Sequence, residues 1–337
     1  MKNLLEIKDL KINFNTEEGI VRAVRGASIR IDKNIIHGLV GESGCGKSVT
    51  ARSVLNILAA NAEIIGGETL YHHQGEIVDL SKLHPDGKEV RKFRWRDISM
   101  IFQEPMTSFS PVHTIGNQIM EAILLHSDLS QVAARTHAIN MLERVGIPDP
   151  AKRIDEYPHQ LSGGMRQRAM IAMALSGNPK LLIADEPTTA LDVTIQAQII
   201  DLMKQMKDEL GMSIMIITHD MGVIAEMADY VSVMYLGKVV ESAPVVELFY
   251  NPLHPYTKAL LKSIPTINSK REEKLTAIAG TVPDAYCSPD GCAFYPRCSQ
   301  YKPGVCDRSE PNLTEIATDH QVACIMYHGE VETDGGK

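Results

Sequence analysis

The sequence predicts an α/β fold with a parallel sheet at its centre, and three observations predict it. An apolar run at residues 35–40 leads into Gly41, Glu42, Ser43, Gly44, Cys45, Gly46, Lys47 and Ser48, and apolar residues follow at 51, 54, 55 and 58 with the spacing of a helix face. Strand, glycine-rich turn and helix in that order form the context that the pattern G-x-x-x-x-G-K-[ST] requires. A second apolar run, Leu181-Leu182-Ile183-Ala184, ends on the paired carboxylates Asp185 and Glu186. From Leu161 to about residue 245, strand-like runs alternate with helix-like ones, the pattern of a doubly wound sheet.

A chain of 337 residues can bury a large core, and its length suggests two domains. The formal charge of −8 argues against nucleic acid as the main partner. No apolar run approaches the ~18 residues that span a bilayer, and residues 1–6 carry no secretory signal. The expectation is a cytoplasmic protein; any membrane part of its task would fall to other chains.

Residues 2–40 read as β-rich, with strands at 4–10, 11–14 and 21–31 that would form an antiparallel sheet ahead of the glycine loop. Phe14 is the early aromatic there, by itself more often core than a base-stacking residue. Residues 63–97 are polar and turn-rich, with strand candidates at 68–71 and 76–80. The basic stretch 88–96, around the single tryptophan Trp95, reads as a solvated helix face. Residues 98–102 form a short buried strand ending at Gln103. From Thr114 to about residue 160 the pattern is helical. Ile115, Ile119, Ile123 and Leu124 make one face; Val132, Ile139, Leu142 and Val145 make another. With no strand signal in this block, it reads as a helical subdomain, about 114–165, inserted into the α/β core. Strands at 181–184, 213–218, 230–235 and 238–241 and helices at 195–210 and 221–227 complete a domain of residues 1–250. Residues 251–337, rich in Pro and Cys, form a second.

The chemistry follows from residue types. Glycines let successive N–H groups of the loop point into one concavity, and the helix N-terminus adds partial positive charge. Lys47 then reaches the β- and γ-phosphates, and the Ser48 hydroxyl binds Mg²⁺. Asp185, at a strand end, supplies the acid that would bind the metal through water. Glu186 points elsewhere and is placed to orient or deprotonate water.

Leu161-Ser162-Gly163-Gly164-Met165-Arg166-Gln167-Arg168 resembles the signature motif of ABC-type ATPases, with Met165 where Gln is usual. Asp185-Glu186-Pro187-Thr188, Ala190-Leu191-Asp192, Ile217-Thr218-His219-Asp220 and Phe102-Gln103-Glu104-Pro105 resemble that family's Walker B, D-loop, H-loop and Q-loop. With the glycine loop these are six motifs in the family's order over residues 4–245. The resemblance implies a P-loop ABC-type ATPase core with an antiparallel β subdomain, an inserted helical subdomain and a small Cys-rich C-terminal extension. It implies an ATP site of Phe14 (stacking on adenine), residues 41–48 and the N–H of Val49, with Mg²⁺ held by Ser48, Gln103 and Asp185. Glu186, His219 and Gln103 would be catalytic, and Cys45 would contribute only its backbone N–H. Ser162, Gly163 and Gly164 would close on the ATP of a partner subunit in a head-to-tail dimer, with Asp192 in the D-loop.

Residues 250–261 and 291–298 are similar to the C-terminal extension of oligopeptide/dipeptide importer ATPases, a group with close relatives among nickel importers. This implies an ATP-hydrolysing subunit at the cytoplasmic face of the membrane that energises peptide import. Its partners would be a sister ATPase subunit in a heterodimer (a homodimer being the alternative when isolated), two membrane permeases and an extracytoplasmic peptide-binding protein, with no nucleic acid. Alternatives are a nickel or oligosaccharide importer ATPase, a mechanical ABC ATPase, or a metal or redox module with the ATPase as regulator. Neither the long coiled coil nor the tandem cassettes of the mechanical class is present. Cys292, Cys298, Cys306 and Cys324 lack a C-x-x-C pair, which counts against common zinc spacings. Four thiolates can hold a [4Fe–4S] cluster, which the resemblance implies here; zinc or unligated cysteines are the alternatives, and Cys287 stands outside the pattern.

Overall fold

The computed structural model describes residues 3–103, 108–189, 191–263, 278–283, 286 and 289–327. Among these, the strands form two sheets. The first has the order β2-β1-β4-β5 and is antiparallel throughout: β1 (Asn3–Thr16), β2 (Gly19–Asp32), β4 (Ala62–His73) and β5 (Glu76–Asp79). The two early strands expected at 4–10 and 11–14 are one strand, β1, bulged where Asp9 takes a φ of 44°.

The second sheet has a parallel centre in the order β9-β3-β8-β7-β6, made of β3 (Ile36–Val40), β6 (Ile98–Ile101), β7 (Leu181–Asp185), β8 (Ser213–Thr218) and β9 (Tyr230–Tyr235). The antiparallel β10 (Lys238–Pro244) extends it, followed by β12 (His320–Val322) and β11 (Thr314–Ala317). The β11–β12 hairpin therefore continues the central sheet through β12 on β10.

The central strands read as unbroken apolar runs because each feeds two cores. Leu182, Ala184, Ile214 and Ile216 face a core shared with the helices, while Leu181, Ile183, Met215 and Ile217 face one shared with the antiparallel sheet. Helices join these layers: α1 (Lys47–Val54), α2 (Lys88–Phe93), α3 (Ile115–His126), α4 (Gln131–Arg144), α5 (Pro150–Arg153), α6 (Gly163–Leu175), α7 (Val193–Leu210), α8 (Met221–Met227), α9 (Val245–Tyr250) and α10 (Pro255–Lys262). None of the described helices is long and apolar enough to cross a membrane.

Two helical expectations are corrected. The helix after the glycine loop stops at Val54, short of Leu58, because Asn56 turns the chain at φ 54° and its side-chain amide donates to the carbonyls of Leu80 and Leu83. In α4, Leu142 lies in the core but Val132 is 78% exposed. Of the expected face, Leu142 and Val145 are in the core and Ile139 packs against it, so only Val132 departs; Ala134, Ala138 and Met141 join them because alanines let α4 pack closely.

Candidate functional site

The glycine loop turns between the C-terminal end of β3 and the first turn of α1. Gly46, just before the helix, has φ 101°, and a Cβ there would stand 2.5 Å from the Ala23 carbonyl oxygen. An L side chain would be strained in conformation and in contact. Ser43 and Gly44 are exposed at the tip. Lys47 is buried and folds back over the loop, Nζ donating to the carbonyls of Gly41 at 2.8 Å and Glu42 at 3.0 Å. Those carbonyls hold the ammonium where phosphate oxygens would take their place. Cys45 lies buried beneath, and burial pushes its thiol up against the pull of Lys47, so it stays neutral.

Ser48 Oγ donates to Asp185 Oδ1 at 2.9 Å. Asp185 is fully buried at the end of β7, and its Oδ2 has no hydrogen-bond partner. Burial pushes this carboxyl up, against the Ser48 hydrogen bond. An orphaned carboxylate oxygen beside a serine hydroxyl is costly in a protein alone, and it fits Mg²⁺, which takes one or two protein oxygens and keeps its waters.

Next to it, Glu186 adopts φ 49°, a conformation that costs a non-glycine residue roughly 1–3 kcal/mol and persists where surroundings enforce it. Its carboxylate accepts from Gln103 Nε2 at 3.1 Å and Thr189 Oγ1 at 2.9 Å, and lies 3.2 Å from His219 Nδ1. Burial pushes the carboxyl up, but the Thr189 and His219 hydrogen bonds outweigh it and leave it below the ordinary range. It is ionised at neutral pH. Three expected catalytic residues thus meet, with Thr189 as a fourth member that the Asp-Glu-Pro-Thr-Thr run contains but that sequence reasoning left without a role.

Ser162 caps α6, its Oγ accepting from the Met165 N–H at 3.3 Å. Ser162 and Gly163 are exposed, and a Cβ on Gly163 would meet nothing within 4 Å. Asp192 caps α7 by accepting from the Ile195 N–H at 3.0 Å, and Ile195 packs under Gly164. The signature turn and the D-loop are therefore one packed surface. Ala190, Glu104 and Pro105 lie outside the described residues. Phe14, in β1, and Val49, in α1, are half-buried against the core between the sheets.

Cys292, Cys298, Cys306 and Cys324 are free thiols that line one cavity together with His254 and Phe294. Burial pushes the Cys292 thiol up to about 11 and raises Cys298 and Cys324 as well. Among the described residues no group of three or more His, Cys, Asp or Glu side chains is arranged to hold a metal ion, so the expected metal centre gains no support from the geometry. Cys287 lies outside the described residues.

A phosphate loop, a Mg²⁺-fitting oxygen pair and a carboxylate held by three donors define a P-loop ATPase. Residues 24–189 match the family described as ABC transporter, and residues 240–306 match the oligopeptide/dipeptide transporter C-terminal region. The oligopeptide transport ATP-binding protein OppD of Bacillus subtilis is 48% identical over 96% of this chain and 89% of its own length. The dipeptide transport ATP-binding protein DppD of the same organism is 48% identical over 98% and 97%. Among solved structures, the dimeric bacterial ABC transporter cassette MJ0796 aligns at a TM-score of 0.62 and 25% identity, covering 72% of this chain and 99% of that one. Cassette cbiO1 of Clostridium perfringens aligns at 0.61 and 28%, covering 74% and 92%. The chain belongs to the ATP-binding subunits of ABC transporters, in the oligopeptide/dipeptide group. It is an ATPase whose hydrolysis is coupled to transport.

Proposed function

We propose that this chain energises the import of di- and oligopeptides from the cytoplasmic face of the cell membrane. The observation that carries the hydrolytic part is the meeting of Gln103, Glu186, Thr189 and His219 beside the Ser48–Asp185 pair. In this reading residues 41–48 and the Val49 N–H bind the triphosphate, Phe14 takes the adenine, and Ser48 and Asp185 hold Mg²⁺ with Gln103 close by. Glu186 activates the water, and His219 and Gln103 sense the γ-phosphate. The peptide cargo is supported by the C-terminal region and by relatives named for peptide transport. Ser162–Gly164 and Asp192 serve the ATP of a second subunit, a sister ATPase in the assembled importer. The exposure of Ser162 and Gly163 at the start of α6 supports this. Two permeases and a peptide-binding protein complete the assembly, and the domain reading is 1–250 for the cassette, with 114–165 as its helical subdomain, and 251–337 for the extension. Reconstituted with the permeases and sister subunit in vesicles, the ATPase rate should rise when peptide-loaded binding protein is added. A rate indifferent to peptide but raised by nickel or oligosaccharide would reassign the cargo.

For the cysteine pocket the reading is a structural [4Fe–4S] cluster on Cys292, Cys298, Cys306 and Cys324. Its support is donor chemistry: four thiols, and no acidic side chain, on one cavity. Tetrahedral zinc at Zn–S of about 2.3 Å would draw the sulfurs to about 3.8 Å of one another. Among the described residues no such set is arranged for a metal ion, zinc or iron alike, so the reading rests on the donor chemistry and on the resemblance of the extension. The cluster would cross-link the extension and take no part in hydrolysis. Protein purified without oxygen should contain iron and acid-labile sulfide in equal amounts, both lost in Cys306→Ser. Stoichiometric zinc without iron would overturn this.

A further inference from the structure

Glu42, second in the phosphate loop, is held from outside by the C-terminal extension. Its carboxylate receives both arms of Arg297, Nη1 to Oε2 at 2.7 Å and Nη2 to Oε1 at 3.0 Å. Its N–H donates to the Tyr256 hydroxyl at 2.9 Å. The Arg297 side chain is 4% exposed and that of Glu42 25%. Arg297 is itself fixed: Nε donates to the Ala279 carbonyl at 3.1 Å, and the guanidinium carbon lies 5.9 Å from the Tyr235 ring centre and 6.0 Å from that of Phe294. Phe294 lines the cysteine cavity and Cys298 follows Arg297, so the anchor is part of the cysteine-lined turn.

A carboxylate in a loop that binds polyphosphate has the wrong charge for its ligand. The bidentate pairing neutralises it and fixes the backbone of Glu42, whose carbonyl also receives Lys47. Without the arginine, a partly buried carboxylate would stand unpaired beside the triphosphate. Removing one partner of such a pair costs far more than removing both. We propose that Arg297 is a positioning residue of the nucleotide site, through which the C-terminal extension neutralises Glu42 and sets the affinity of the phosphate loop for ATP. The inference rests on the reading of residues 41–48 as the ATP loop.

The test is the Kd of a fluorescent ATP analogue, with thermal unfolding of each variant as the check on folding. Arg297→Gln should weaken binding about tenfold, roughly 1.4 kcal/mol. Arg297→Lys, which keeps the charge but loses the fork, should recover part of the loss. The double variant Glu42→Gln/Arg297→Gln should bind several-fold more tightly than Arg297→Gln, a rescue that a purely structural arginine would not give. Wild-type affinity in Arg297→Gln, or a double variant as weak as Arg297→Gln, would overturn the proposal. Lys47→Ala separates the two readings: if it loses ATP while Arg297→Gln does not, only the arginine proposal fails. If Lys47→Ala binds normally, the loop assignment itself fails.

Discussion

Glu186→Gln is expected to bind ATP with near wild-type affinity and to hydrolyse it about 10²–10⁴ times more slowly, the usual contribution of a positioned general base. The affinity should survive because the groups proposed to grip the triphosphate, Lys47 and the loop N–H groups, belong to another segment. The rate should fall because an amide oxygen cannot take a proton from water. The isosteric amide keeps acceptors for Thr189 and Gln103, so the strained turn at Glu186 has reason to stay in place. Hydrogen bonds from Thr189 and His219 hold this carboxyl low, so the base form persists well into mild acid and is lost only as pH falls through that lowered value. Single-turnover phosphate release and equilibrium nucleotide binding separate the two effects. Equal turnover in wild type and variant would remove Glu186 from its role.

Such variants also bear on what local sequence can disclose. The phosphate loop was legible because its strand, glycines, lysine and helix are contiguous and each residue type has a local physical reason. The strands at 181–185 and 213–218 were legible as unbroken apolar runs, since each packs on two cores. Helix limits and the full make-up of a buried face were less so. Asn56 ended α1 through hydrogen bonds to Leu80 and Leu83, more than twenty residues away. The close-packed face of α4 is carried in part by alanines, which a count of large apolar residues overlooks in favour of Val132. The least legible feature was the environment of the loop itself. Arg297 and Tyr256 reach Glu42 from 255 and 214 residues away, and no spacing rule links them. Sequence named the candidate residues; only the folded chain shows which of them meet and what holds them.

That distinction between a site and its completion sets up the second large effect, Gly163→Asp. Gly163 has ordinary backbone geometry, and a Cβ there meets nothing within 4 Å, so the substitution should leave fold and unfolding temperature nearly unchanged. Within the isolated chain it should also leave ATP binding to Lys47 intact. Its effect falls on assembly. In the proposed sandwich, the N-terminus of α6 offers N–H groups and partial positive charge to the γ-phosphate of the ATP on the other subunit. A carboxylate at Gly163 would replace that attraction with repulsion between like charges at close range. Loss of one such preorganised donor set costs about 10²–10³ in rate, and loss of closure costs more. The sharpest form combines the two variants. With ATP and Mg²⁺, Glu186→Gln should accumulate as a dimer in sedimentation velocity because closure occurs and hydrolysis does not reopen it. Glu186→Gln/Gly163→Asp should sediment as a monomer at the same ATP saturation. A double variant that dimerises as readily as Glu186→Gln would mean that the signature turn does not face the partner's nucleotide. The ATP site would then be complete within one chain.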